Sequence, residues 1–160
     1  MSNGYASGMA TGNESVRPPA RLRGLASWQA SKVSTLGTRL TARRMPLVAR
    51  TDFAVLAALE EYGELSQADL GRRLGLDRND VNGVVNRLYV AQHVDRRPDA
   101  ADRRRNVVAL TGAGARYLAE VQQHADAVQA ELLRGLDLAE RQQLQSLLAK
   151  LLASHTAQSA

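Results

Sequence analysis

Apolar residues recur at helical spacing along most of this chain and alternate with polar ones only in a short central stretch. Over 21–44, Leu22, Leu25, Ala26, Gln29, Val33, Leu36 and Leu40 fall close to one face, with Trp28 and Arg39 off its centre. Pro46 ends that helix. Thr51 is the expected N-cap of a second helix, 52–62, with Phe53, Leu56, Ala57 and Leu59 on its apolar side and Gly63 as its stop. Ser66-Gln67-Ala68-Asp69 reads as a capping box that starts a short helix running to Leu74, after which Gly75 turns the chain. Asp77 caps the next helix, which extends to about Val90 and has Asp80 near the positive end of its dipole.

The stretches 92–97 and 105–110 alternate imperfectly and read as two strands of a hairpin. Their connection, Pro98-Asp99-Ala100-Ala101-Asp102-Arg103-Arg104, is a charged tip. Thr111 then caps a long helix, about 112–134, striped by Leu118, Val121, Ala125, Val128 and Leu132 and broken by Gly135. Asp137 and Glu140 form a second capping-box pattern, opening a last helix that carries Leu144, Leu147, Leu148, Leu151 and Leu152. The expected fold is mainly α: a winged helix-turn-helix with a two-stranded β wing between N- and C-terminal helices. In ranges, 1–20 is Gly/Ser/Asn/Pro-rich and expected to be disordered, 21–50 is a helix and connection, 51–111 the winged unit, and 112–155 the C-terminal helices.

Composition changes this picture in two ways. Cysteine is absent, which excludes disulfides, thiolate metal sites and thiol redox switches. No stretch approaches the ~18 apolar residues of a membrane span and no apolar leader precedes the first helix, so the chain reads as cytoplasmic, with no membrane partner. The net charge of +5 matters less than its distribution. Residues 1–50 carry eight bases against one acid, 51–65 four acids and no base, 66–106 nine arginines against six acids, and 111–160 four bases against five acids. Positive charge therefore gathers in two regions, as expected of a surface that meets a polyanion. Arginine supplies 19 of the 21 bases, which suits bidentate contacts to phosphate or guanine; a GC-rich coding sequence accounts for that excess equally well.

The informative block is 66–111. Two short helices joined by a tight turn cross steeply, so the second projects. Within it Val81, Val84, Val85 and Leu88 occupy i, i+3, i+4 and i+7 and pack inward. The opposite face carries Asn79, Asn82, Gly83 and Asn86, with Arg78 and Arg87 at its margins. Asparagine pairs with adenine N6 and N7, and arginine with guanine O6 and N7, so this face suits the major groove of double-stranded DNA. An ordinary solvated face is the plainer alternative. In the hairpin, Arg103, Arg104 and Arg105 crowd the tip near Arg96 and Arg97, and a protruding arginine fits a narrow, electronegative minor groove. Asp102 fits a supporting role, pairing with a neighbouring arginine; the alternative is a hairpin of mutually neutralising charges.

Asp-Phe-Ala-Val-Leu at 52–56, Leu-Ser-Gln-Ala-Asp-Leu-Gly-Arg-Arg-Leu-Gly-Leu-Asp at 65–77, Arg-Arg-Pro-Asp-Ala-Ala-Asp-Arg-Arg at 96–104 and Val-Ala-Leu-Thr-Gly-Ala-Gly at 108–114 resemble the MarR family of transcriptional regulators, over about residues 21–153. The resemblance implies a homodimer whose terminal helices intertwine, with one recognition helix per subunit for the major groove and one wing for the minor groove. By the match, Arg103 is the wing-tip arginine, and Asp102 and Arg104 support the wing. The long apolar stripes of the terminal helices agree with burial against a second copy, although an intramolecular bundle also covers them. The family further implies a small aromatic ligand bound between the dimer helices and the winged unit, for which Trp28, Phe53 and Tyr62 are the aromatic candidates; core packing is the alternative for each. Two positions depart from the pattern. Gly83 stands where many relatives carry a larger polar or basic residue, and Gln92 stands where glycine is common, so Gln92 must accept a strained backbone or the turn must differ.

Other chemistries find no support. His93, His124 and His155 are far apart in sequence and lack ligand patterns, so no metal or other cofactor is expected. Gly112 and Gly114 open a helix after a strand, but the next glycine of a dinucleotide site is missing. No nucleophile motif or carboxylate pair suggests an enzyme. The expected function is a sequence-specific, homodimeric DNA-binding regulator, a repressor released by a small molecule; the alternative is a helical ligand-binding or docking dimer that no longer reads DNA, toward which only Gly83 leans.

Overall fold

The computed structural model describes residues 17–98 and 106–156. The expected wing tip, with Asp102, Arg103 and Arg104, lies outside the described residues, as does most of the 1–20 segment. Two compact units divide the chain, the first ending at Thr35 and the second beginning at Leu36.

In the first unit the single helix expected over 21–44 is broken. A short turn, α1 (Ala20–Arg23), precedes α2 (Ala26–Arg44). Gly24 folds its N–H back onto Ala20 and Leu22, and Leu25 onto Leu22, which closes the first turn. The Gln29 side chain then donates to the orphan carbonyl of Arg23 at 2.6 Å. Leu22, Leu25 and Val33 remain exposed.

The second unit is built around α3 (Leu47–Tyr62). This helix starts five residues earlier than the sequence suggested. Pro46 is its N-cap, so a residue read as a stop is also a start; proline cannot continue α2, but its fixed φ and missing N–H are tolerated at a helix entrance. Thr51 lies inside the helix, its hydroxyl bonded to the Val48 carbonyl. Gly63 stops α3 with φ of 74°.

Strand β1 (Leu65–Ser66) leads into α4 (Gln67–Leu74), with Ser66 accepting from the Asp69 N–H as expected. Gly75 supplies the left-handed turn, and Asp77 caps α5 (Arg78–Val90) through the Asp80 N–H. Strands β2 (Val94–Pro98) and β3 (Asn106–Leu110) form the hairpin. The wing sheet nevertheless has three strands, in the antiparallel order β1-β3-β2, because Leu65 and Ser66 pair with Val108 and Val107. A two-residue strand has no alternation to reveal it.

Thr111 caps α6 (Gly112–Leu132) through the Gly114 N–H. The Asp137–Glu140 box is reciprocal, each side chain accepting from the other's N–H at 2.9 Å, and opens α7 (Leu138–Thr156). The core joins α3, α4, α5, the sheet and α6. Val55, Leu56, Leu70, Val81, Val85, Leu88, Val94 and Val108 are fully enclosed, each contributing roughly 1.5–3 kcal/mol by leaving water. The α6 end returns to the C-terminal half of α2, where Arg44 pairs with Glu131 at 2.8 Å and holds that carboxyl below its ordinary pKa. None of the described side chains of α7 is buried, and Leu138, Leu147, Leu148, Leu151 and Leu152 are exposed.

Candidate nucleic-acid interface

Helix α5 is two-sided. Val81, Val84, Val85 and Leu88 are buried as expected, while Arg78, Asn79, Asn82, Gly83, Asn86 and Arg87 lie on exposed positions. The projection of α5 rests on a close approach to α4. A Cβ at Gly71 would sit 3.0 Å from the Leu76 carbonyl oxygen and 3.6 Å from Val81, so a larger residue would push the two helices apart. Gln67, Gly71, Arg72, Gly75, Leu76 and Arg78 line a shallow concavity at this turn, which puts Arg72 beside Arg78. Sequence reasoning did not single out Arg72; its place in the last turn of the first helix, before the glycine, is the available signal.

Along α5 the polar residues differ in what already holds them. A Cβ at Gly83 would meet nothing within 4 Å, so this position is open. Asn86 accepts a hydrogen bond from Arg96 on β2, and the Arg96 guanidinium lies 5.3 Å from the Tyr89 ring centroid. Arg87 points back into the protein. Its guanidinium pairs with Asp52 at 2.5 Å and reaches the Thr51 hydroxyl at 3.3 Å. Asp52 is 4% exposed, and its other oxygen accepts from the Tyr117 hydroxyl at 3.3 Å. Burial, then the Asp52 charge, raises the Tyr117 pKa, which keeps the phenol a neutral donor. A carboxylate from α3 thus binds α5 and α6 together. In the sequence Asp52 stands out only as part of a motif, since its partners lie 35 and 65 residues away.

The exit from α5 answers the question posed by Gln92. Its φ is 64°, so the strained branch holds. The Gln92 N–H bonds to Tyr89 and the His93 N–H to Leu88, a complete Schellman termination in which glycine is the usual residue. The Gln92 carbonyl accepts from the Thr111 hydroxyl, tying this turn to the start of α6. Gly114 allows the same junction to close: a Cβ there would lie 2.0 Å from the His93 carbonyl oxygen. His93 stacks on Tyr117 with ring centroids 4.4 Å apart, and its Nδ1 is buried with no hydrogen-bond partner. On the far side of the hairpin, Arg97 pairs with Glu64, which raises the Arg97 pKa.

Of the aromatic residues considered for a ligand, the two on α3 stand apart. Phe53 packs partly buried against the core, whereas Tyr62 is exposed beneath the Arg73 guanidinium, 4.1 Å from its ring centroid. They stand nine residues apart on α3, half a turn out of phase and about 13 Å apart along the axis. Trp28, half-buried in the first unit, lies under Lys32 at 5.2 Å. Among the described residues no group of three or more His, Asp or Glu side chains is placed to hold a metal. No helix among them is long and apolar enough to cross a membrane.

A projecting helix with a polar outer face, set on a tight turn and followed by an arginine-bearing hairpin, defines a winged helix-turn-helix. A model of the MarR family matches residues 48–105. The HTH-type transcriptional repressor NicR of Pseudomonas putida is 32% identical over 109 residues, covering 68% of this chain and 69% of that protein. A solved structure of a probable transcriptional regulator from Pseudomonas aeruginosa is 30% identical with a TM-score of 0.67, over 82% of this chain and 99% of that one. BpsR of Bordetella bronchiseptica, solved to explain regulation of its DNA binding by 6-hydroxynicotinic acid, is 27% identical with a TM-score of 0.66, over 78% and 96%. The chain belongs to the MarR family and is a DNA-binding transcriptional regulator.

Proposed function

We propose that the chain works in the cytoplasm as a homodimeric repressor that binds a pseudo-palindromic operator and releases it when a small aromatic acid binds. The observation that carries this reading is the two-sided α5, apolar inside and amide- and arginine-bearing outside. Arg78, Asn79, Asn82 and Asn86 are assigned to the major groove, and Arg72 to the neighbouring phosphates. Arg87, held by Asp52, positions the helix and leaves only its outer edge for phosphate. Arg103 is assigned to the minor groove, with Asp102 and Arg104 supporting the tip. The winged unit, 51–111, thus carries the DNA contacts.

The exposed leucines of α7 and the stripe of α2 supply the surface for a second copy, with 21–50 and 112–155 as the pairing regions. The two recognition helices then meet grooves about one helical turn apart, ~34 Å. The ligand class follows the regulation of BpsR by 6-hydroxynicotinic acid, and the repressor role follows the name of NicR. Because Phe53 and Tyr62 face opposite sides of α3, one ligand meets Phe53 or Tyr62 but not both; Trp28 is the third aromatic contact retained for it. The ligand acts by favouring a dimer spacing that does not fit the operator.

Selection from random duplex DNA by the purified protein, beside Arg103→Ala, tests the reading. A palindrome is expected, with the variant weaker on all sequences and wild-type affinity falling steeply as salt rises. Adding 6-hydroxynicotinic acid to the recovered complex is expected to release it. Failure to enrich any sequence, with a protein that remains a dimer, would support the ligand-binding dimer without DNA reading.

A further inference from the structure

Among the described residues a polar side-chain contact joins α5 to the hairpin. Asn86 on α5 accepts through Oδ1 from a guanidinium nitrogen of Arg96 on β2. The partner's chemistry fixes the amide orientation: a guanidinium has only donors, so it must meet the oxygen and not the nitrogen. Arg96 is itself held in place. Its main chain pairs with Val108, and its guanidinium lies against Tyr89. It stands two residues beyond Val94, on the same face of β2 as that fully buried side chain.

Adenine recognition by asparagine uses both ends of the amide, the oxygen accepting from N6–H2 and the nitrogen donating to N7. At Asn86 the oxygen is engaged and has a positive charge beside it. Oδ1 keeps a second lone pair, but the Arg96 charge beside it disfavours its use as an acceptor; the other groups at this exposed contact, the Nδ2–H2 and the remaining guanidinium N–H groups, are all donors. Guanine presents two adjacent acceptors, N7 and O6, whereas adenine sets an amino donor beside its N7.

We propose that Arg96 is a specificity-determining residue: by occupying Oδ1 it converts Asn86 from an adenine reader into half of a donor-only pair that selects guanine. This rests on the reading of α5 as the helix that enters the major groove. It assigns a strand residue, outside the recognition helix, to base choice.

The test is duplex selection with the full chain as wild type, Asn86→Ala and Arg96→Met, followed by competition between operators that differ at one base pair. Asn86→Ala marks the operator position that this residue reads. There the wild type is expected to favour guanine over adenine by roughly tenfold. Arg96→Met keeps an apolar stem beside Tyr89 and frees the amide, so the ratio is expected to fall by roughly tenfold or to invert. Circular dichroism and the melting temperature of each variant separate base choice from loss of fold. An unchanged ratio in Arg96→Met overturns the proposal, as does a wild type that prefers adenine. A uniform loss across all sequences in Asn86→Ala also overturns it, since that is a phosphate contact. If the wild type enriches no operator, the recognition-helix reading falls and takes this proposal with it. A clear palindrome with no change in Arg96→Met sinks the Arg96 assignment alone.

Discussion

The winged part of the second unit and helix α7 have similar apolar patterns and opposite fates. In the winged part the stripes of α3, α5 and α6 meet one another, and Leu56, Leu70 and Leu88 are almost completely enclosed. In α7 Leu147, Leu148 and Leu151 keep about half of their surface exposed, although they recur just as regularly. Periodicity therefore states that a face is apolar without stating what covers it. The winged part closes on itself, whereas α7 leaves its apolar surface uncovered within one chain.

Substitutions can sharpen or break that contrast. Gly114→Ala should have the largest effect, because its Cβ would strike the His93 main chain at 2.0 Å. A loss of about 3 kcal/mol in urea unfolding is expected, with both α6 and the wing destabilised. Arg87→Ala should follow, at about 2 kcal/mol, since it leaves the buried Asp52 carboxylate with only Tyr117; part of the penalty is discounted because the arginine itself is 39% exposed. Asp52→Asn in the same background should recover part of that loss, and no recovery would mean that the charge is not the cause. Gln92→Gly should stabilise by about 1 kcal/mol by relieving the left-handed backbone, seen as a rise in melting temperature.

Leu151→Glu should be the mildest within a protomer, less than about 0.5 kcal/mol, because the side chain is already 57% exposed. Light scattering should nevertheless show the mass moving toward that of one chain. If Leu151→Glu unfolds the protomer as Gly114→Ala does, the contrast between the two regions is wrong.

What the sequence revealed follows the range over which each feature acts. The caps at Ser66, Asp77, Thr111 and Asp137–Glu140 were legible because each is closed by a residue three positions away. The buried face of α5 was legible because one helix repeats it. The start of α3 is not legible because Thr51 has the chemistry of a cap, while Pro46, the actual N-cap, carries in sequence only the signal of a helix end. The break at Gly24 was missed because a single glycine in an apolar stripe does not announce a turn. At the site, the amide face could be read from spacing. The Asp52–Arg87–Tyr117 cluster and the Asn86–Arg96 contact could not, since each joins elements that only the fold brings together. Separating Phe53 from Tyr62 required only the phase of the helix expected over 52–62, which contains both.

Gly83 gives the regulator an unused socket. A side chain introduced there meets no neighbour, and replacing a mid-helix glycine by a better helix former adds up to about 1 kcal/mol of stability. On the reading of α5 as the recognition helix, variation at this codon would alter operator choice without first threatening the fold, so a duplicated copy would move to a new operator while its scaffold stays intact.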